Sequence, residues 1–206
     1  MADAPPPKKI IRTNRLILRE ARKPDIDAFY LELYSNEEVM RYWSEPHSSI
    51  STTETYFDNM IKSKRNGELA FVLILPQSAS TAPSTPTSFP TTTDEGKVIG
   101  HAGLWEEHKN ELVFMISNKY WKQGYMTEVL AALVPMFWEK GIRKVYAYVD
   151  TSNEASLQLL RKLGFSKDGL DLVESYKPAE EVVRMELRNP DGGGEEKGSS
   201  DDGSNV

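Results

Sequence analysis

The stretch LVFMISNKYWKQGYMT, residues 112–127, runs from an apolar segment through a loop containing Gly124 into a helical pattern. At such a junction the first backbone N–H groups of the helix have no partner within it, and the helix dipole adds positive potential. A pyrophosphate fits there, and Gly124 permits a backbone conformation that side chains resist. An ordinary strand–glycine–helix turn has the same form, so this segment alone leaves both readings open. It lacks the Gly-Lys-Ser/Thr of a P-loop and the G-x-G-x-x-G of a dinucleotide turn. The anion site it offers therefore belongs to neither common nucleotide class. A second junction, VDTSNEAS at residues 149–156, also passes from an apolar run into a helical pattern. Asn153 or Ser152 can cap that helix, and Ser156, one turn in, can be a surface or packing serine. His47, His101 and His108 do not have the H-E-x-x-H or a similar spacing, so no metal site is expected.

The elements that must position these residues follow from periodicity. Residues 1–10 read as a flexible arm, and 15–19 as a strand with Leu16 and Leu18 alternating against Ile17. Asp25 is placed to cap a helix carrying Ile26, Phe29, Tyr30 and Leu33. Residues 41–49, RYWSEPHSS, form a loop with two aromatics, Tyr42 and Trp43, and a second amphipathic helix covers 53–64. The apolar run LAFVLIL at 69–75 is a buried strand. Residues 77–95 are almost all Ser, Thr and Pro, which cannot bury enough apolar surface to fold alone, so a disordered insertion is expected there. Strands at 98–104 and 112–116 form a hairpin through the polar turn at 106–110. A helix at 127–140, kinked by Pro135, precedes a strand at 145–149. A helix at 153–163 ends on Gly164, and strands at 165–169 and 182–187 complete the fold. This order argues for one α+β domain over residues 11–188 with a mixed sheet.

Composition narrows the partners. The 206 residues carry a formal net charge of −6, of which the Gly/Ser-rich acidic tail from Asn189 contributes −4. That tail, 189–206, is expected to be disordered, and the remainder is close to neutral. No basic stripe or aromatic-interleaved Arg cluster appears, so no nucleic-acid face is expected. The chain has no cysteine, which excludes disulfides, Cys-ligated zinc and thiolate nucleophiles. No apolar run approaches the ~20 residues of a membrane helix. The opening MADAPPPKK lacks the apolar segment of a signal peptide, so the cytoplasm or nucleus is the expected compartment.

Taken together, TNRLILREA, YWKQGYMTE and NEASLQLLRKLGF resemble the RimJ/RimL-type branch of the GNAT acetyltransferases, from about residue 13 to 187. The resemblance implies a GNAT fold: a central mixed, mostly antiparallel sheet flanked by helices. It places acetyl-CoA, the co-substrate, in a cleft between the two central parallel strands. The family's phosphate loop, Arg/Gln-x-x-Gly-x-Gly/Ala, falls on residues 121–126. Gly124 is kept and Trp121 holds the first position. Met126 replaces the small residue, and its bulk either crowds the phosphate or points into the core.

By the same resemblance, amides from Gln123, Gly124, Tyr125, Met126 and Thr127, next to Lys122, cradle the pyrophosphate. Met115 and Ile116 pair with the pantetheine arm as an added strand, and Asn153 hydrogen-bonds a pantetheine amide. Glu111 lies where many members place a glutamate base, with Glu106 and Glu107 as alternatives. Ser156 matches a serine acting near the thiol, and an amide of the central strand polarises the thioester carbonyl. Tyr42 and Trp43 fall in a loop that often lines the acceptor side. The implied activity is acetyl transfer to a primary amine, either a protein N-terminal α-amine or a small amine; a non-catalytic acetyl-CoA-binding module is the alternative.

Overall fold

Runs of Val, Ile, Leu and Phe alternate with helical patterns, and they assemble as one mixed sheet with helices on both faces. The computed structural model describes residues 10–62, 69–76, 92–93, 96–105, 110–171 and 181–191. The strands are β1 (Ile10–Arg12), β2 (Ile17–Arg19), β3 (Ala70–Leu75), β4 (Thr92–Thr93), β5 (Gly96–Trp105), β6 (Glu111–Ile116), β7 (Lys144–Asp150), β8 (Ser166–Asp171) and β9 (Val182–Arg188). They lie in the order β1-β2-β3-β5-β6-β7-β9-β8, with β4 added onto β5. Neighbours are antiparallel throughout except β6 and β7, the expected central parallel pair. Among the described residues those two strands share one ladder pair, Glu111 with Tyr146. The Tyr146 N–H donates to the Asn110 carbonyl at 3.2 Å. Beyond that point the strands part, and a gap opens in the middle of the sheet.

Helices cover the two faces. α1 (Ile26–Phe29), its π-helical continuation Tyr30–Tyr34, α2 (Glu37–Met40) and α3 (Ile50–Lys62) lie on one. They bury Phe29, Leu33, Met40 and Phe57 against Ile17, Val72, Ile74 and Met115. On the other face α4 (Tyr125–Glu139) and α5 (Glu154–Lys162) bury Val129, Leu133, Phe137 and Leu160 against Leu18, Phe71, Leu73 and Val145. Successive residues of β3 thus serve opposite layers, which is why its sequence is continuously apolar instead of alternating. No helix among the described residues is long and apolar enough to cross a membrane.

Several expectations are corrected. The arm read at 1–10 ends one residue early, because Ile10 opens β1 and pairs with Arg19; residues 1–9 lie outside the described residues. Asp25 does not cap the following helix. Its carboxylate faces backward and accepts Arg19 Nη1 and Nη2 at 2.8 and 2.7 Å and the Arg22 N–H at 2.7 Å. Arg19 and Asp25 are both fully buried, so a charge inside β2 has claimed the side chain that could have capped. α2 was not expected; Asn36 starts it by accepting the N–H groups of Glu38 and Val39. α4 runs through Pro135, as expected, but starts two residues earlier than the expected 127. Thr92–Thr93, in the stretch read as a disordered insertion, pair with Lys97 and Gly96; residues 77–91 and 94–95 are outside the described residues. So are most of the acidic tail, 192–206, and the turn 106–109 with Glu106, Glu107 and His108.

Candidate active site

The backbone of β6 decides what faces the gap. The Ser117 N–H donates to the Ile99 carbonyl of β5 at 2.9 Å, while the Asn110 carbonyl is turned to β7. Strand alternation then sends the polar groups of Leu112, Phe114 and Ile116 toward β7, and those of Val113 and Met115 toward β5. Of the two residues assigned to an added pantetheine strand, Ile116 therefore faces the gap and Met115 does not. Met115 pairs across β5 with His101, although its side chain still lines the cavity. The Phe114 backbone is turned to the gap instead. The Ile116 carbonyl accepts the Trp121 indole N–H at 2.8 Å, which leaves the Ile116 N–H toward the gap.

At the end of β6 the chain makes the phosphate-loop turn. Lys122 has φ 59° and Gly124 has φ 78°, so two left-handed residues bracket Gln123. A Cβ built on Gly124 would meet nothing nearer than Arg15 Nη2 at 3.6 Å. The glycine is thus required by its backbone angle and not by crowding. No side chain caps α4, and its first internal bond runs from the Glu128 N–H to the Gly124 carbonyl at 3.1 Å. The N–H groups of Tyr125, Met126 and Thr127 precede that bond and have no partner within the helix. Met126 is 8% exposed and packs in the core with Val129 and Leu130, while also lining the cavity. Gln123 is held from both sides: its carbonyl accepts Arg15 Nη1 at 2.9 Å, and its Nε2 donates to the Lys119 carbonyl at 3.0 Å.

A cavity of about 670 Å³ fills the gap between β6 and β7. Its walls bring together Glu111, Met115, Ile116, Lys122, Gly124, Tyr125, Met126, Thr127, Asn153, Ser156, Tyr42 and Trp43. Among the described candidates, Gln123 is the one that its lining does not include. Asn153 caps α5, its Oδ1 accepting the Ser156 N–H at 3.1 Å. That bond directs its NH₂ edge elsewhere, so capping and donating to a ligand are compatible roles for one side chain. Ser156 and Glu111 are half-buried. Tyr42 reaches from the loop after α2 across to the Ser152 carbonyl at 3.5 Å, and Trp43 packs on the α1–α3 side. Glu38, Tyr148 and Asp150 also line the cavity and were missed, because nothing local marks them.

Also missed is the ion cluster beneath the loop. Glu32, 5% exposed, accepts from Ser117 Oγ at 3.1 Å and pairs with Lys97 and Lys119, each at 3.1 Å. Burial alone would raise its pKa, but the two ammoniums outweigh it and hold the carboxyl below its ordinary range. The cluster ties the π-helical turn to β5 and to the segment that enters the phosphate loop. Among the described residues no group of three or more His, Asp or Glu side chains could hold a metal ion.

Comparisons with known proteins agree with this geometry. Residues 15–166 match the acetyltransferase (GNAT) domain family. The uncharacterized Bacillus subtilis N-acetyltransferase YoaA is 30% identical over 171 residues, which is 78% of this chain and 85% of that protein. Among solved structures, the ribosomal-protein α-N-acetyltransferase RimL superposes with a TM-score of 0.68 at 17% identity, covering 88% of this chain and 94% of RimL. Spermidine N-acetyltransferase from Vibrio cholerae, solved with CoA and spermine, gives a TM-score of 0.63 at 20% identity over 84% of this chain and 95% of that one. The match to that domain family spans most of the chain, and the chain belongs to the GNAT family of acetyltransferases.

Proposed function

We propose that the cleft binds acetyl-CoA and that its acetyl group passes to a primary amine, the first candidate being the α-amine of a polypeptide N-terminus. The observation that carries this reading is the continuity of the gap: the Phe114 backbone and the Ile116 N–H, turned toward β7 beyond its ladder pair, lead directly to the uncapped amides of Tyr125, Met126 and Thr127. An arm with amides can pair with the first, and a pyrophosphate can accept from the second. Lys122 and the NH₂ of Asn153 add donors on either side. The cytoplasm or nucleus is the proposed compartment.

In the transfer, the amine nitrogen bonds to the thioester carbonyl carbon and the carbon–sulfur bond breaks. The acceptor ammonium first gives a proton to Glu111, directly or through water; the second proton that the nitrogen sheds on forming the amide passes to the departing thiolate, with Ser156 as the relay. The Phe114 N–H faces the same gap and supplies a donor to the carbonyl oxygen. Tyr42 and Trp43 form the acceptor wall. Glu38, Glu111 and Asp150 on the cavity lining favour a second reading, in which the acceptor is a small polyamine carrying further positive charge.

CoA release measured across N-terminal peptides and polyamines separates the two acceptors; release with neither sinks the proposed transfer. On the working acceptor, Glu111→Gln should lower kcat by ~10²–10⁴-fold, the range for a lost general base. That deficit should shrink as pH rises, because the amine then deprotonates unaided. A wild-type pH–rate profile would take the base role from Glu111.

A further inference from the structure

The turn between β1 and β2 grips the start of α4 from more than a hundred residues away in sequence. Thr13 Oγ1 donates to Glu128 Oε1 at 2.5 Å, and the Arg15 N–H donates to the same oxygen at 2.8 Å. Arg15 Nε donates to Glu128 Oε2 at 2.7 Å, and Nη1 to the Gln123 carbonyl at 2.9 Å. The guanidinium also lies 4.1 Å from the centre of the Tyr125 ring. Its Nη2 is the atom nearest to where a side chain on Gly124 would begin. Arg15 therefore touches both flanks of the left-handed glycine with one rigid fork.

Two physical problems at this loop need such a fork. Left-handed backbone at Lys122, a non-glycine residue two positions before Gly124, persists only where surrounding contacts over-determine it. Also, Glu128 puts a carboxylate in the first turn of α4, beside the amides that the reading above gives to a pyrophosphate. Burial would raise the pKa of Glu128, but the donors of Thr13 and Arg15 outweigh it and keep the group ionised. An ionised carboxylate there repels a phosphate unless a cation answers it. Arg15 is the cation paired with it.

We propose that Arg15, anchored on Glu128, is a positioning residue for the phosphates of the co-substrate: it holds the loop in its left-handed shape and cancels the carboxylate beneath it. The inference rests on the reading that this loop takes the pyrophosphate.

The test compares wild type, Arg15→Ala, Arg15→Lys and the double variant Arg15→Ala/Glu128→Gln. Each is titrated with CoA and assayed with acetyl-CoA and with S-acetylpantetheine, which has the arm but no pyrophosphate. Arg15→Ala should raise the Kd for CoA and the KM for acetyl-CoA roughly tenfold or more, as loss of a charged tether does, with kcat held. Its kcat/KM for S-acetylpantetheine should stay at the wild-type value, an outcome that general loosening of the fold would not give. Arg15→Lys should recover part of the affinity, since it keeps the charge without the fork. The double variant should bind CoA more tightly than Arg15→Ala, because the unanswered carboxylate is gone. Equal losses on acetyl-CoA and S-acetylpantetheine, or a double variant no better than Arg15→Ala, would overturn the proposal. If Arg15→Ala gives no cooperative melt, Arg15→Lys decides: it should show the same selective loss at smaller size. Wild type that binds no CoA defeats the phosphate-loop reading itself, a result distinct from any of these.

Discussion

Gly124 carries the most local of the site's requirements, a single backbone angle. At φ 78° with open space around its missing Cβ, a side chain would meet no steric wall, only the cost of left-handed backbone. That cost is about 1–2 kcal/mol for most residues and is smaller for Asn. The affinity for CoA should therefore fall from wild type through Gly124→Asn and Gly124→Ala to Gly124→Val, with melting temperatures falling less. Calorimetric titration of the three variants checks the order. Unchanged affinity in all three would remove the loop from the binding site. Met126 illustrates the opposite case, since a departure from the family's small residue is buried in the core cluster.

At the scale of elements, β2 and the helices after it are joined by the buried Arg19–Asp25 pair, which also takes the Glu20 carbonyl and the Arg22 N–H. Removing one charge leaves the other buried and unanswered, so Asp25→Ala should cost about 3–5 kcal/mol. Replacing both, as Arg19→Met with Asp25→Leu, should recover much of that loss in urea unfolding. A double variant as unstable as Asp25→Ala would mean the pair's other contacts carry the elbow. The same elements show what a sequence makes legible. Gly124 and the Asn153 cap announce themselves through local signals, as do the long helices α4 and α5 with their apolar spacing. Other features did not. Asp25 looks like a cap until a buried arginine six residues earlier is known to need it. The cleft-facing register of Phe114 over Met115 is dictated by the pairing of β6 with β5, which no local pattern encodes. The tether from Arg15 to Glu128 spans 113 positions, and the Glu32–Lys119 pair spans 87. α2, four residues long, is too short for periodicity to register.

Across the whole molecule, the layer of α1–α3 meets the sheet through a buried polar column and not through apolar contact alone. His101 of β5 is 4% exposed; its Nε2 shares a hydrogen with the Tyr34 hydroxyl at 3.1 Å, and its ring stacks on Phe29. Tyr34 stacks in turn on His47, whose Nδ1 meets Thr53 Oγ1 at 2.9 Å. Burial lowers the pKa of His101 from 6.5 to about 4, so the imidazole is neutral in the folded protein. The direction of the pH effect follows from that depression. Between pH 6.5 and about 4 the unfolded chain holds a proton on this histidine that the folded chain does not, so stability falls as pH falls through that window. The full difference corresponds to roughly 3 kcal/mol. Below it Glu32 and Glu128, both held under their ordinary range by cationic partners, add their own losses as they protonate. His101→Gln removes the titration but keeps a side chain able to meet Tyr34. It should be less stable than wild type at pH 7.5, yet lose less on acidification to pH 4.5. Urea midpoints of both proteins at a series of pH values measure the two slopes, and parallel slopes would show that the acid sensitivity resides elsewhere than in this column.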